Sequence, residues 1–496
     1  MDVGWGDRLI EETQGLDILG VRGLDQNLEA ALVNGITTIS LRGRYFSILP
    51  WAIGEFFDAE LTRGAKEFSG SRFKAFLTRV EFLVLACTTL DAHAGDPSGA
   101  LGSVLFQSQM AALSAGNAVS FPADRGGAML GTYFGPCRAL GLIRTAEGGG
   151  AEPYVLTPRG QAIWNARKAA LEHELCHSLL WHAESISPTE VHEVAAHFSL
   201  KGLAKMPEEA AAIRDALLTP WSPNGPGAVG VAEAYKKFSQ TVAWLRVETR
   251  NGPLRADYLM ARAWRRTVAG DDDLLVVEKE WAEIEWRRRL HFALELTLGA
   301  VAETVQIRGE ATLVDVVTGW LDEEEFPSKL STVWPGASRA REMQGCEAVT
   351  TVPTGLYLAE APPADLNQLR PHARALAAFA LVAGLAHQST ALRTFGCFRD
   401  RGQTPGERAL SCVEAASNEP FSKTLREFAE IVVQAHLATT FRKMGAGQKC
   451  SLRFFPDGSK LVTTHVTTGA GRSGSRLWNV IKVLQDAAVD GFGGNG

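Results

Sequence analysis

Residues 129–170 read MLGTYFGPCRALGLIRTAEGGGAEPYVLTPRGQAIWNARKAA, and their order of turn and cap residues gives the clearest structural signal in the chain. It predicts a helix that ends at Leu140-Gly141, a strand over Leu142–Thr145, and, after a glycine-rich tip, a second strand over Pro153–Leu156. Thr157-Pro158 then offers a side-chain N-cap followed by proline at the first helical position, which favours the start of another helix. The pattern indicates helix, strand, turn, strand and helix in that order.

This order resembles the wing region of MarR- and PadR-type winged-helix proteins, in which L-G-L-I closes the recognition helix and L-T-x-x-G opens the next one. The resemblance covers about residues 101–170. It implies that the helix at about Ala128–Leu140 enters the major groove of duplex DNA while the wing touches the phosphate backbone. Gly135-Pro136 departs from the pattern and would shorten or kink that helix. The DNA-contacting residues carried over from the resemblance are Tyr133, Arg138, Arg144 and Arg159.

Positive charge is concentrated locally in a chain whose net charge is −6. Residues 101–170 hold six basic and three acidic residues, and residues 441–496 hold eight and three, so the remaining 370 residues carry a net −14. Such an asymmetry favours local phosphate contacts on an acidic scaffold. Arg287–Arg289, flanked by glutamates, is instead predicted to be ion-paired on a solvated helical face. A winged helix that only pairs with another protein is the alternative, since fold alone does not fix function.

The C-terminal residues predict a second basic unit. Residues 449–466, KCSLRFFPDGSKLVTTHV, alternate like a two-stranded hairpin about Asp457-Gly458, and a last helix is expected over about Ser475–Val489. The intervening GAGRSGSR lacks the lysine of a P-loop, but a glycine-rich loop at a helix N-terminus can hold a phosphate oxygen. A flexible connector is the alternative. The candidate phosphate contacts are Lys449, Arg453, Lys460, Arg472 and Arg476.

The sequence HELCH, residues 173–177, fits the H-E-x-x-H pattern of zinc hydrolases. On one helix His173 and His177 would share a face and bind a metal ion, with Glu174 as general base. A third ligand at a recognisable spacing is missing, and the motif is expected within the helix that follows the wing. We therefore interpret it as an exposed or partner-facing helical surface without cofactor, and we keep a zinc-dependent hydrolase as the second alternative.

Length and composition indicate a multidomain globular protein. The chain has 496 residues, of which 46% are hydrophobic and 21% charged, and its periodicity is overwhelmingly helical. We predict mainly α architecture: helical bundles, an embedded winged helix and a C-terminal helix, β-hairpin and helix. The expected segments are a helical domain over 1–95, the winged-helix domain over 96–185, a helical domain over 186–323, a linker over 324–360 and a C-terminal domain over 361–496.

Cysteine use and the N-terminus predict a cytoplasmic protein. The seven cysteines are spread singly, which favours reduced thiols over a disulfide framework, and the acidic N-terminal residues lack the apolar core of a signal peptide. The longest apolar stretch, Tyr45–Phe57, is too short and too interrupted to span a membrane.

The first 170 residues also resemble large helical bacterial proteins of unassigned activity that are encoded beside antiphage systems. The resemblance implies antiviral defence as a context and no residue roles. Together with the winged helix it leads us to expect a non-catalytic DNA-binding sensor or scaffold subunit of a bacterial complex. Its partners would be duplex DNA and other protein subunits, with a homo-oligomer as a further possibility. A protein-interaction scaffold without DNA binding is the first alternative.

Overall fold

The structure, a computed structural model, is mainly helical, as predicted, with small antiparallel sheets. It describes residues 17–64, 67–91, 99–122, 126–146, 153–171, 174–221, 228–252, 254–353, 364–394, 404–448, 450–466, 468–471 and 474–492. Among these residues, no helix is both long and apolar enough to cross a bilayer.

The helices and strands are numbered in chain order. The helices are α1 Arg22–Leu32, α2 Tyr45–Thr62, α3 Gly70–Leu90, α4 Gln107–Ser114, α5 Ala128–Ala139, α6 Pro158–Ala170, α7 Glu174–Trp181, α8 Pro188–Phe198, α9 Pro207–Leu218, α10 Ala228–Thr249, α11 Ala256–Val268, α12 Val276–Arg308, α13 Leu313–Asp322, α14 Ser328–Val333, α15 Gly345–Thr350, α16 Pro371–Thr394, α17 Pro405–Glu414, α18 Phe421–Gly445 and α19 Arg476–Asp486. The strands are β1 Val119–Ser120, β2 Ile143–Thr145, β3 Tyr154–Leu156, β4 Ser185–Ile186, β5 Glu310–Thr312, β6 Phe454–Asp457 and β7 Lys460–Thr463.

The chain divides into two compact units, each discontinuous in sequence. The first unit contains residues 1–29 and 257–474, and the second contains residues 30–256 and 475–496. These units cut across the five segments expected from the sequence. The expected linker contributes α14, α15 and the buried side chains of Leu330 and Trp334 to the first unit.

The first unit is organised around α12, which packs against α16, α17 and α18 and is buried on nearly all sides. Its charged residues must therefore be paired inside the protein. Arg287 donates to Glu283 at 2.8 Å, and Arg289 donates to Glu285 at 2.7 Å and lies over the Trp264 ring. The expected pairing is thus observed, but the expected solvated face is wrong, because these arginines are buried.

A three-stranded antiparallel sheet, in the order β5-β7-β6, lies beside α12 and α13. The hairpin predicted about Asp457-Gly458 is confirmed: Asp457 pairs with Lys460, and Gly458 adopts φ +58, a conformation that favours glycine. Strand β5, in which Glu310 pairs with Val462, was not predicted from the sequence. Three residues after a long helix give too weak a periodic signal to identify a strand.

His436, on α18, links the N-terminal segment to the residues that directly precede the C-terminal hairpin. Its Nδ1–H donates to the Ile18 carbonyl at 3.0 Å, and its Nε2 accepts the Arg453 N–H at 3.0 Å. The ring is fully buried, and burial lowers the pKa of His436 to about 4. Both ring nitrogens are therefore used by the neutral imidazole.

The second unit is built around α2, against which α3, α5, α6 and α9 pack. Between α2, α6 and α9 lies a buried ionic cluster in which Glu209 accepts from Arg44 at 3.0 Å and from Arg167 at 2.6 Å. All three side chains are at most 1% exposed. Burial alone would raise the pKa of Glu209, but the two guanidinium groups, together with hydrogen bonds from Arg44 and Ser47, lower it to about 2.

We predict that Glu209→Gln destabilises the protein by about 3–5 kcal/mol, because two buried cations lose their common counter-charge. Urea unfolding followed by far-UV circular dichroism measures the loss. Glu347→Gln is the control, because Glu347 forms an exposed pair with Arg339 that is worth at most about 1 kcal/mol. Equal effects of the two substitutions would contradict the role of Glu209.

We also predict that stability falls as the pH drops from 6.5 towards 4, because the unfolded chain protonates His436 before the folded protein does. The folded pKa lies below the unfolded value, so the contribution is complete above pH 6.5 and is reduced by about 3 kcal/mol at pH 4. Unfolding free energies of the wild type and of His436→Asn, compared across this range, isolate the effect. Identical pH slopes in the two proteins would contradict it.

Candidate nucleic-acid interface

The helix, hairpin and helix predicted over 128–170 are observed as α5, β2, β3 and α6. Strands β2 and β3 are antiparallel, with Ile143 opposite Leu156, and the Thr157 hydroxyl accepts the Gly160 N–H at the start of α6. Helix α5 continues through Pro136 to Ala139, so the expected shortening is wrong. The winged-helix assignment itself stays a prediction.

Two glycines of the quoted motif allow close packing around the hairpin. Gly141 ends α5 with φ +66, and a side chain there would overlap Trp221, whose Nε1–H donates to the Ala139 carbonyl at 3.0 Å. A Cβ on Gly160 would overlap the Leu142 carbonyl oxygen. Glycine at these two positions lets the backbones of α5, β2 and α6 approach one another.

The N-terminus of α5 is held by a glutamate from α3. Glu81 accepts the backbone N–H groups of Gly127, at 2.9 Å, and of Met129. Burial raises the pKa of Glu81 to about 7, although these two hydrogen bonds act in the opposite direction. A carboxylate from a neighbouring helix thus satisfies donors that would otherwise have no partner at a helix start.

Tyr133 does not reach the protein surface. Its side chain is fully buried, its ring lies 4.7 Å from that of Tyr45, and its hydroxyl accepts the Arg42 N–H at 3.3 Å. The expectation that Tyr133 contacts bases is therefore wrong for this fold. Helices α2 and α5 pack against each other, and the Tyr133 ring lies in this contact, against Tyr45 and Phe46 of α2.

Arg159 is also used inside the fold. Its guanidinium donates to the carbonyls of Ala216 and Thr219 and to the Tyr235 hydroxyl, at 2.7–3.4 Å, and its side chain is 18% exposed. These contacts tie the start of α6 to the end of α9. The expectation that Arg159 contacts phosphate is wrong in this conformation, because its donors already have partners.

Arg138 and Arg144 are exposed, as a DNA contact requires. Arg138 lies in the last turn of α5, and Arg144 lies on β2, at the base of the hairpin. Within the described part of the chain, neither side chain forms a hydrogen bond or an ion pair. The exposed face of α5 otherwise consists of Ala128, Gly131 and Gly135. This face can approach a ligand closely but offers few side chains.

The structure describes three of the five C-terminal candidates, Arg453, Lys460 and Arg476. Lys449 and Arg472 lie outside the described residues. Arg453 is buried and donates to the Ser451 carbonyl, and Lys460 pairs with Glu310, so the expected phosphate contacts of these two residues are not available in this conformation. Arg476, half-buried at the start of α19, belongs to the second unit, whereas the hairpin belongs to the first.

The HELCH stretch does not belong to α6, because Glu174 to His177 lie in the separate helix α7. Helix α6 ends at Ala170, and α7 begins at Glu174, so His173, which lies outside the described residues, precedes α7. Glu174 and His177 are exposed. Among the described residues, no three His, Cys, Asp or Glu side chains come together as a metal site requires. The zinc alternative with His173 stays a prediction, while its placement in one continuous helix with α6 is wrong.

A pocket that sequence analysis missed lies between the end of α2, α3 and the end of α7. Its volume is about 230 Å³, and three arginines and three aromatic side chains dominate its lining: Arg63, Arg72, Arg79, Phe56, Phe76 and Trp181. The seven-residue spacing of Arg72 and Arg79 on α3 indicates a shared helical face. No local signal brings Trp181 to that face, because it lies about a hundred residues away in the chain.

Comparison with family models, curated proteins and solved structures finds no match to this chain. The functional argument therefore depends on the described side chains alone.

We predict that Glu81→Ala loosens the start of α5 and lowers the free energy of unfolding by about 1–3 kcal/mol, because the buried Met129 N–H and the part-buried Gly127 N–H lose their acceptor. Hydrogen exchange at Gly127 and Met129 should accelerate well beyond that of the rest of the helix. Glu174→Ala, at the exposed start of α7, is the control and should leave both amides unchanged. Unaltered protection in Glu81→Ala would show that α5 does not need the contact.

Proposed function

We propose that this chain is a non-catalytic DNA-binding subunit that contacts duplex DNA through α5 and the β2–β3 hairpin. The observation that carries the proposal is the exposure of Arg138 and Arg144, without intramolecular partners among the described residues, on two adjacent elements of a rigidly supported unit. Guanidinium groups in this state can pair with phosphate oxygens and release counterions from the duplex.

The supporting residues hold this surface in place. Glu81 fixes the start of α5, Tyr133 anchors its middle in the core, and Arg159 ties α6 to the end of α9. A binding surface built on supported helices needs little ordering when the ligand arrives. We therefore assign Tyr133 and Arg159 a positioning role.

The composition of the exposed face of α5 favours binding to the DNA backbone over reading of sequence. Reading a base requires side chains that donate to or accept from base edges in the major groove. Gly131 and Gly135 supply none, which leaves Arg138 as the side chain of this face able to reach a base. We propose contacts to phosphates with little sequence preference.

The biological setting that we propose is a cytoplasmic bacterial defence assembly, in which the chain serves as sensor or scaffold beside other protein subunits. Its support is the resemblance of the first 170 residues to proteins encoded beside antiphage systems. The two-unit architecture suits a scaffold, because each unit has its own core.

We predict that the full chain binds a fluorescent random-sequence duplex and that the affinity falls steeply as salt rises from about 50 to 200 mM. Changing both Arg138 and Arg144 to Ala should reduce the slope of log K against log salt by about 1.8, which corresponds to two lost phosphate contacts. Fluorescence anisotropy measures the affinity at each salt concentration.

Arg250→Ala is the matched control, because Arg250 is exposed, lies in the same unit and should not alter the slope. Arg159→Ala separates positioning from contact. It should lower thermal stability, but the protein that remains folded should show an unchanged slope of log K against log salt. No binding at low salt would overturn the proposal in favour of a protein-interaction scaffold.

A further inference from the structure

We infer that the pocket formed by Arg63, Arg72, Arg79, Phe56, Phe76 and Trp181 binds one nucleotide, with the base stacked on Arg63 and the phosphate held by Arg72 and Arg79. All six residues belong to the second unit. The inference does not depend on duplex binding by the hairpin.

The charge in this pocket is in excess of its acidic partners. Arg63 and Arg72 share a single carboxylate oxygen of Glu60, at 3.3 and 2.7 Å. Arg79 donates to the carbonyls of Leu179 and Ala183 and has no carboxylate partner among the described residues. Three cations therefore face one described anion, which favours a ligand that carries negative charge.

Arg79 is held in a fixed orientation. One N–H of Nη1 and one of Nη2 donate to carbonyls at 2.9 and 2.6 Å, and the guanidinium lies 4.5 Å from the centre of the Phe121 ring. Partial burial lowers the pKa of Arg79, because water no longer fully solvates its charge. An anion in the pocket would compensate Arg79 for the solvation that its charge has lost. The remaining N–H groups of Arg79 could donate to this anion.

The aromatic part of the pocket forms a layered stack. The Phe76 and Trp181 rings are 4.5 Å apart and inclined by 24°, and the Arg63 guanidinium lies 4.7 Å from the centre of the Trp181 ring. Arg63 is 40% exposed, so the guanidinium beside Trp181 can be reached from solvent. Nucleobases stack on guanidinium planes as well as on aromatic rings, which makes this layer a platform for a base.

The size of the pocket limits the ligand. A volume of about 230 Å³ lies below the range of about 300–1,000 Å³ that is typical for drug-sized ligands. One base with its phosphate satisfies both the stack and the charge. The nucleotide can come from free solution or from a single strand, since the chemistry is the same.

Isothermal titration of the full chain with deoxythymidine monophosphate, thymidine and inorganic phosphate tests the inference. The nucleotide should bind at least about tenfold more tightly than either part, because only it engages both the stack and the arginines. An oligothymidylate of about ten residues distinguishes the two sources. Tighter binding than the mononucleotide assigns a strand, and equal binding assigns a free nucleotide.

Three variants separate the roles. Arg63→Gln with Arg72→Gln should weaken nucleotide binding at least about tenfold, whereas the matched control Arg250→Gln should not. Arg63→Lys keeps the charge but removes the planar group, so the preference for nucleotide over phosphate should collapse while phosphate binding persists. Melting temperatures of all variants verify that they fold.

Nucleotide binding that is absent, or equal to that of phosphate, would overturn the inference, as would wild-type nucleotide affinity in the protein that carries both Arg63→Gln and Arg72→Gln. Failure of the duplex titration alone would leave it intact, because that experiment depends on Arg138 and Arg144, which lie outside the pocket.

Discussion

Glu209 is the carboxylate on which the second unit depends, because it neutralises two arginines that have no access to water. Arg44 precedes α2, Arg167 lies on α6, and Glu209 lies on α9, so the cluster joins segments that are far apart in sequence. A buried cation without a counter-charge is costly, and the three elements can therefore pack only in the arrangement that brings these groups together. Helix α6 follows β3 directly, so the cluster also holds the helix that is attached to the hairpin.

Two groups of arginines in this protein differ in their surroundings, although the sequence does not distinguish them. In the first group, the guanidinium groups contact carbonyls, carboxylates or aromatic rings inside the fold, as in Arg159, Arg167 and Arg289. In the second group, Arg138 and Arg144 are exposed to solvent. A positive net charge between residues 101 and 170 therefore overstates the charge offered to a ligand, because much of it is neutralised locally.

An aromatic cluster connects the hairpin with the arginine-lined pocket. The ring centres of Phe56 and Phe73 are 4.9 Å apart, and those of Phe73 and Tyr154 of β3 are 5.8 Å apart. The ring centre of Tyr154 lies 5.3 Å from that of Phe134 of α5. Phe56 itself lines the pocket. Rings packed in this way resist independent movement, so both surfaces are supported by one core.

The sequence by itself determined the mainly helical class, the β2–β3 hairpin, the Thr157 cap of α6 and the hairpin about Asp457-Gly458. These features depend on neighbouring residues, since caps, turns and periodicity are local. Tertiary structure alone decided that Tyr133 and Arg159 face inwards while Arg138 and Arg144 face solvent, because exposure depends on what packs against each helix. It also decided that Trp181 meets Arg63, since contacts between residues more than a hundred positions apart leave no periodic trace in the chain.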